Sequence, residues 1–267
     1  MKKFFFIDYD NTIFSHFTHC IPEDAGAALL SLQKEGHKVF LASGRGLFNE
    51  PLPALPDGFT PDGLVGANGA IVQAEGQSLW ENPMEPALKK RLIDFVREQN
   101  YFLVTSSEGQ FYVSSMKRYE SSHFRYTEPQ YPKGDEDFLE LCTKPVFSFF
   151  LNEPLEIIEE TRRKFPELKL FYMGDELGGA DVIPVENGKI KGIERILAHY
   201  GADLSDTVAI GDSLNDLEMV KGAGIGIAMG NAMPELKKAA DYVAKHIDDG
   251  GLADAISYAL THSPQKQ

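Results

Sequence analysis

The sequence predicts an α/β protein built on a parallel sheet, with an α+β segment inserted into it. Three observations carry that expectation. Short, continuously apolar runs alternate with helically spaced apolar residues in the first and last thirds of the chain. Those runs end in small polar and acidic residues, as strands do where a parallel sheet opens onto a crevice. Between them the texture changes to runs mixing aromatic and polar residues, the pattern of one-sided antiparallel strands.

Phe4 to Ile7 reads as the first buried strand, opening into a loop from Asp8 to Thr12. Ala25, Ala28, Leu29 and Leu32 then recur at helical spacing, and Gly36 is a stop. Val39 to Ala42 is the next strand, followed by Ser43-Gly44-Arg45, and Leu64-Val65 leads in the same way into Asn68-Gly69. Late in the chain, Ile193, Ile196, Leu197 and Tyr200 mark a helix, and Thr207 to Ile210 a strand running into Gly211-Asp212-Ser213-Leu214-Asn215-Asp216. A strand at Ile225 to Ala228 and a helix from Pro234 to Ala240 complete this half. In the middle, helices near Pro86 to Gln99 and Leu155 to Phe165 separate strand candidates at Tyr101–Thr105, Phe111–Ser114, Val146–Leu151 and Leu168–Met173. The division expected is residues 1–82 and 185–267 as one discontinuous α/β core, with residues 83–184 inserted as a cap.

Composition narrows the function. With 26 Lys plus Arg against 40 Asp plus Glu, the net charge of -14 repels nucleic-acid phosphates, and no basic run offsets it. Any phosphate chemistry must therefore gather its positive charge locally. The two cysteines, Cys20 and Cys142, lie far apart, which points to a reducing compartment. The N-terminal apolar run meets Asp8 after four residues, and no apolar stretch approaches the roughly 18 residues of a membrane span. A cytoplasmic protein without nucleic-acid or membrane partners is expected.

Asp8 and Asp10 stand one residue apart at the end of a buried strand. Alone, such a pair forms a surface Asx turn as readily as a reactive centre. The apolar strand before it, the Thr12 hydroxyl and the polar groups after later strands favour chemistry. One carboxylate can attack phosphorus while helping to hold a cation; the other can protonate the leaving oxygen and then draw a proton from water. Their mutual repulsion calls for a divalent metal.

Asp8-Tyr9-Asp10-Asn11-Thr12 resembles the first signature of the haloacid dehalogenase-like hydrolases, whose core is Rossmann-like. The resemblance implies Asp8 as nucleophile and magnesium ligand. It implies Asp10 as general acid/base, with its backbone carbonyl on the metal, and Thr12 as support for the loop. Asn11 stands where the family usually has glycine, and asparagine tolerates the left-handed backbone such a turn uses. The retained Asp10 points to phosphatase chemistry over dehalogenation.

Ser43-Gly44-Arg45 reads alone as a helix cap, or as a hydroxyl and amides presented to phosphate. It resembles the second signature, which makes Ser43 and the Gly44 amide phosphate-binding groups. Arg45 is left out of the catalytic set, since it could pair with an acidic loop residue instead. Lys191-Gly192 reads alone as an exposed lysine at a helix start. It resembles the third signature, with Lys191 neutralising nucleophile and phosphate; Lys189 is a nearby competitor, but the Lys-Gly pair matches the family pattern better. The Gly211–Asp216 stretch is close to the fourth signature. By that likeness Asp212 ligates Mg²⁺, Asp216 stands behind it orienting metal-bound water or the loop, and Asn215 helps to position Asp8 or the phosphate.

The four elements occur in family order. Gly226–Ala232, Ala239–Val243 and Asp248-Asp249-Gly250 further resemble the Cof-type phosphatases. His16, His19 and Cys20 lack zinc-site spacing and read as ordinary loop residues. The expectation is a magnesium-dependent phosphomonoesterase acting on a small phosphorylated metabolite, with sugar phosphates first. A phosphotransferase or phosphomutase using the same nucleophile, and a noncatalytic metabolite-binding protein, are the alternatives. Cap candidates for substrate contact are Tyr112, Tyr126, Tyr131 and Tyr172, several of which also read as strand or packing residues, and the Gly174–Gly179 loop, which reads first as a structural turn.

Overall fold

The computed structural model describes residues 2–46, 55–122, 124, 131–174 and 178–264. They divide into two units: the described residues up to Glu81 with those from Asn187 onward, and Asn82–Glu186. The breaks thus fall after Glu81 and after Glu186, where the sequence reading put them after residues 82 and 184. Tyr126 and Asp175–Leu177, named above as cap candidates, lie outside the described residues.

The first unit begins with β1 (Phe4–Ile7), followed by the helix Glu23–Lys34 and β2 (Lys38–Ala42). Phe5, Phe6, Ile7 and Val39 to Ala42 are all fully buried, which is why these runs carry no polar alternation. Next come β3 (Gly63–Gly66), β4 (Ile71–Ala74) and β5 (Gln77–Glu81). The last two extend the expected parallel sheet antiparallel at one edge. Their turn, Glu75-Gly76, has both residues at positive φ (52° and 76°), the two-residue hairpin geometry whose twist suits flanking strands.

The inserted unit holds the helices Pro86–Gln99 and Leu155–Lys164, with β6 (Leu103–Ser107), β7 (Gln110–Val113), β8 (Lys133–Gly134), β9 (Phe149–Leu151), β10 (Leu168–Tyr172) and β11 (Ala180–Pro184). They form one sheet in the order β10-β11-β9-β6-β7-β8, antiparallel except at β7 and β8. Leu92, Phe95, Val96, Ile158 and Phe165 pack the helices onto one core. A second cluster gathers Phe102, Val104, Phe111, Val113 and Tyr119. The β6–β7 turn, Glu108-Gly109, repeats the geometry of the β4–β5 hairpin, at φ 50° and 75°.

The chain returns to the first unit through the helix Lys189–Tyr200, then β12 (Thr207–Gly211), β13 (Ile225–Ala228) and β14 (Tyr242–Val243), and ends on the helix Gly251–Thr261. The full sheet runs β14-β13-β12-β1-β2-β3-β4-β5, and every pair from β14 to β3 is parallel. Ile7 is level with Leu41 on one side and Ile210 on the other, so the residues just beyond these strands converge at one edge. No described helix is long and apolar enough to cross a membrane.

Candidate active site

Asp8 is the first residue past β1, and its amide donates to the Ile210 carbonyl at 2.9 Å, extending the β1–β12 ladder by one bond. The chain then turns sharply. Asn11 adopts φ 55°, the left-handed conformation its side chain tolerates, and its amide donates to the Phe14 carbonyl at 2.7 Å. The loop is tied from outside by Asn231: its Nδ2 donates to the Asn11 carbonyl at 2.8 Å, and its Oδ1 accepts from the Ile247 amide. Thr12 is fully buried, and its Oγ1 has no hydrogen-bond partner among the described residues.

Beyond β12, Asp216 folds back over the strand end. Its Oδ2 accepts from the amides of Asp212 and Ser213, each at 3.0 Å. Gly211 makes this possible, because a Cβ there would lie 2.3 Å from the Asp216 Cγ. Asp212 takes one hydrogen bond from the Ser213 hydroxyl, on Oδ1 at 3.1 Å. One oxygen each from Asp8, Asp212 and Asp216 lies within 4.8 Å of the others, and all three residues are buried.

The cation facing this cluster is Lys189. Its Nζ donates to Asp8 Oδ1 at 2.7 Å and to Asp216 Oδ1 at 2.5 Å, and the side chain is fully buried. Lys191, the residue the sequence favoured, is half exposed and pairs with Glu194 at 3.0 Å. Helical geometry explains the correction. The helix starts at Lys189, and its buried stripe is Lys189, Gly192, Ile193, Ile196 and Leu197. Two residues on, a side chain has rotated about 200° away from that stripe. Extending the Ile193–Ile196 periodicity back one turn reaches 189 and not 191, so the signal was present in the sequence. The helix start is seated by the turn after β3: Gly69, at φ 87°, lies so close to Gly188 that a Cβ would meet its carbonyl oxygen at 2.1 Å. In the same turn Asn68 accepts from Asn215 Nδ2 at 3.0 Å, which links β3 to the Asp212–Asp216 loop.

Asp10 faces a different environment. Arg45 forks onto it, Nε to Oδ2 and Nη2 to Oδ1, both at 2.8 Å, and His16 Nε2 lies 2.6 Å from Oδ1. Arg45 is therefore the acidic-loop partner allowed for in the sequence, and His16, which reads from the sequence as an ordinary loop residue, is a neighbour of the site. Ser43 is fully buried at the end of β2; its hydroxyl accepts from the Arg45 amide at 3.1 Å, and its carbonyl from the Asn68 amide. Gly44 lies between the two, and the helix start expected after it falls on residues outside those described.

The electrostatics follow the surroundings. Burial holds the Asp8 carboxyl well above the usual carboxylate range; Lys189 opposes the shift, and the carboxylates of Asp216, Asp212 and Asp10 add to it. Burial and the Asp216 carboxylate push Asp212 up to about 8. Lys189 is raised, because Asp216 and Asp8 outweigh a burial that works the other way. Asp10 moves in the opposite direction: despite burial, hydrogen bonds from His16 and Arg45 draw it well below the ordinary value. Three carboxylates crowd around one ammonium, leaving excess negative charge that a hard divalent cation would neutralise through oxygen ligands. Among the described residues, Asp8 Oδ2 and Asp212 Oδ2 accept no hydrogen bond, whereas both Asp216 oxygens are engaged. The donor set of Asp8, Asp212 and Asp216 therefore fits a divalent cation.

The haloacid dehalogenase-like hydrolase family matches this chain over residues 5–256. The Bacillus subtilis protein YkrA is 35% identical over 261 residues, 96% of each chain. The Bacillus subtilis phosphatase YwpJ is 25% identical over 293 residues, 97% of this chain and 100% of its own. A solved sugar phosphatase of haloacid dehalogenase subclass IIB superposes with a TM-score of 0.86 at 28% identity, covering 97% of this chain and 99% of its own.

Proposed function

The chain belongs to the haloacid dehalogenase-like hydrolases, and on that premise we propose that it is a magnesium-dependent phosphomonoesterase of the Cof type acting on a small phosphorylated metabolite. Phosphoryl transfer through an aspartate nucleophile is the chemistry of the superfamily. The observation that carries the reading here is Asp8, buried at the end of β1 between the Lys189 ammonium and the carboxylates of Asp212 and Asp216.

Asp8 attacks phosphorus in line, and Lys189 stabilises negative charge on nucleophile and phosphoryl oxygens as it spreads in the transition state. The Ser43 hydroxyl and the Gly44 amide bind the phosphoryl oxygens, and Asn215, braced by Asn68, keeps the Asp212–Asp216 loop in place. Asp10 donates a proton to the departing alcohol and then takes one from the water that hydrolyses phospho-Asp8. Asp8, Asp212 and the Asp10 backbone carbonyl would hold Mg²⁺, with Asp216 behind them; bound there, the ion relieves carboxylate repulsion and polarises the phosphoryl group.

Sugar phosphates are the leading substrate class, supported by the likeness to the subclass IIB sugar phosphatase. A second reading comes from the Bacillus subtilis 5-amino-6-(5-phospho-D-ribitylamino)uracil phosphatase YwtE, 28% identical over 63% of this chain and 57% of its own. The inserted unit, Asn82–Glu186, is the part of the chain proposed to select between them. Phosphate release should be ranked by kcat/KM across sugar phosphates, ribityl phosphates, nucleotides and pyridoxal phosphate, with and without chelator. Sugar phosphates should lead, and chelation should abolish turnover until Mg²⁺ is restored. A nucleotide preference would overturn the substrate class, and full turnover in metal-free enzyme would overturn the metal assignment.

A further inference from the structure

Asp10 is held on three sides, and the three bonds are unevenly shared. Oδ1 lies against both His16 Nε2 at 2.6 Å and Arg45 Nη2 at 2.8 Å, whereas Oδ2 takes, among the described residues, only Arg45 Nε, at 2.8 Å. Whether the carboxyl is ionised or carries its proton on Oδ2, Oδ1 can only accept, so His16 must present Nε2–H to it. With two donors, Oδ1 has its lone-pair directions filled. Among the described residues, Oδ2 keeps one open.

His16 is no loose surface imidazole in this arrangement. Its backbone amide donates to Asn11 Oδ1 at 3.1 Å, so the same tight turn that carries Asp10 anchors it. Its ring meets Phe14 edge-on with centroids 5.2 Å apart, and Phe14 stacks on the buried Tyr9 at 5.9 Å. The imidazole reaches Asp10 from six residues away along a folded-back loop. Arg45, by contrast, reaches it on a long, rotamer-rich stem from the end of β2.

We propose that His16 is a positioning residue that occupies Asp10 Oδ1 and thereby makes Oδ2 the oxygen through which the transferred proton passes. This rests on the reading of Asp10 as the general acid and base. In the first half-reaction the proton on Oδ2 moves to the bridging ester oxygen as its bond to phosphorus breaks and the Asp8–phosphorus bond forms; the alcohol departs. In the second, Oδ2 takes a proton from water as the water oxygen bonds to phosphorus and the Asp8–phosphorus bond breaks, releasing phosphate. Without His16, the carboxyl can carry its proton on either oxygen, and a fraction of enzyme directs it away from the leaving group.

The test compares an alkyl phosphate, whose alkoxide needs a proton to depart, with 4-nitrophenyl phosphate, whose phenolate does not. General acid–base groups contribute about 10²–10⁴-fold, so misdirecting one should cost about tenfold in kcat/KM for formation of phospho-Asp8 from the alkyl ester, and at most about twofold from the nitrophenyl ester. Single-turnover measurements isolate that step. His16→Gln, which can still offer an N–H, should restore much of the loss that His16→Ala causes, at unchanged thermal stability. Equal losses on both esters would mean a structural effect and overturn the proposal, as would no loss on either. Asp10→Asn is the control that separates the two failures. If it shows the same leaving-group dependence and His16→Ala does not, the positioning role of His16 falls alone; if Asp10→Asn shows none, the general-acid reading falls and the proposal with it.

Discussion

Asp8 and Asp10 share one loop, yet their surroundings are opposites. Asp8 is sealed in with a single ammonium and two further carboxylates, and its carboxyl is pushed up by burial that Lys189 only partly offsets. Asp10, a third exposed, sits between a guanidinium and an imidazole that draw it down. Sequence adjacency gives the two residues a common backbone; the elements that fold against them give them different chemistry. The buried one is built to be neutralised by a cation, and the partly exposed one to be oriented by hydrogen bonds. Which cationic side chain reaches which carboxylate is therefore the determinant of role in this loop.

The sharpest way to break that comparison is to remove the cations from each side. Lys189→Gln should lower kcat by about 10²–10³-fold, the cost of losing a preorganised charge at the reacting centre. Lys191→Gln, two residues along the same helix, should stay within about twofold because surface ion pairs contribute little. Steady-state assays of both variants, with circular dichroism to confirm folding, decide the assignment. Equal losses would return Lys191 to the site.

A smaller effect separates the Asp8–Asp212–Asp216 cluster from the surroundings of Asp10 without any turnover. Asp212 is raised from 3.8 to about 8, so the folded protein binds its proton more tightly than the unfolded chain does. Stability from this group is full below the unfolded value and is lost as pH rises through about 8. Metal-free protein should accordingly show a falling Tm across that window, and Mg²⁺ should raise Tm more at its upper end than at its lower. Asp212→Asn should flatten both dependences. A Mg²⁺ effect on Tm that survives this substitution would move the metal elsewhere.

Much of the fold was legible because its central strands are buried on both faces and so appear as unbroken apolar runs: Phe4–Ile7 and Ile225–Ala228 coincide with the strands observed. The β4–β5 hairpin was not, since β5 is mostly exposed and polar and only the Glu75-Gly76 turn announces it. In the candidate site, Asp8 and Asp212 stand out in the sequence because each follows such a strand directly. Lys189 was displaced by Lys191 because a local Lys-Gly pair outweighed the periodicity of the helix that carries both. His16 and Arg45 could not be matched to Asp10 from spacing alone, since a reversed loop and a neighbouring strand bring them there.

Transfer of the phosphoryl group to Asp8 can be measured directly. Asp10→Asn should slow hydrolysis of the intermediate, while 4-nitrophenyl phosphate needs no acid to form it. Mixing the two with Mg²⁺, quenching in acid and mapping the digest by mass spectrometry should place one phosphoryl group on the peptide containing Asp8, and on none when Asp8→Asn is added. A phosphoryl group on another residue, or nitrophenolate released in a burst with no labelled peptide, would contradict it.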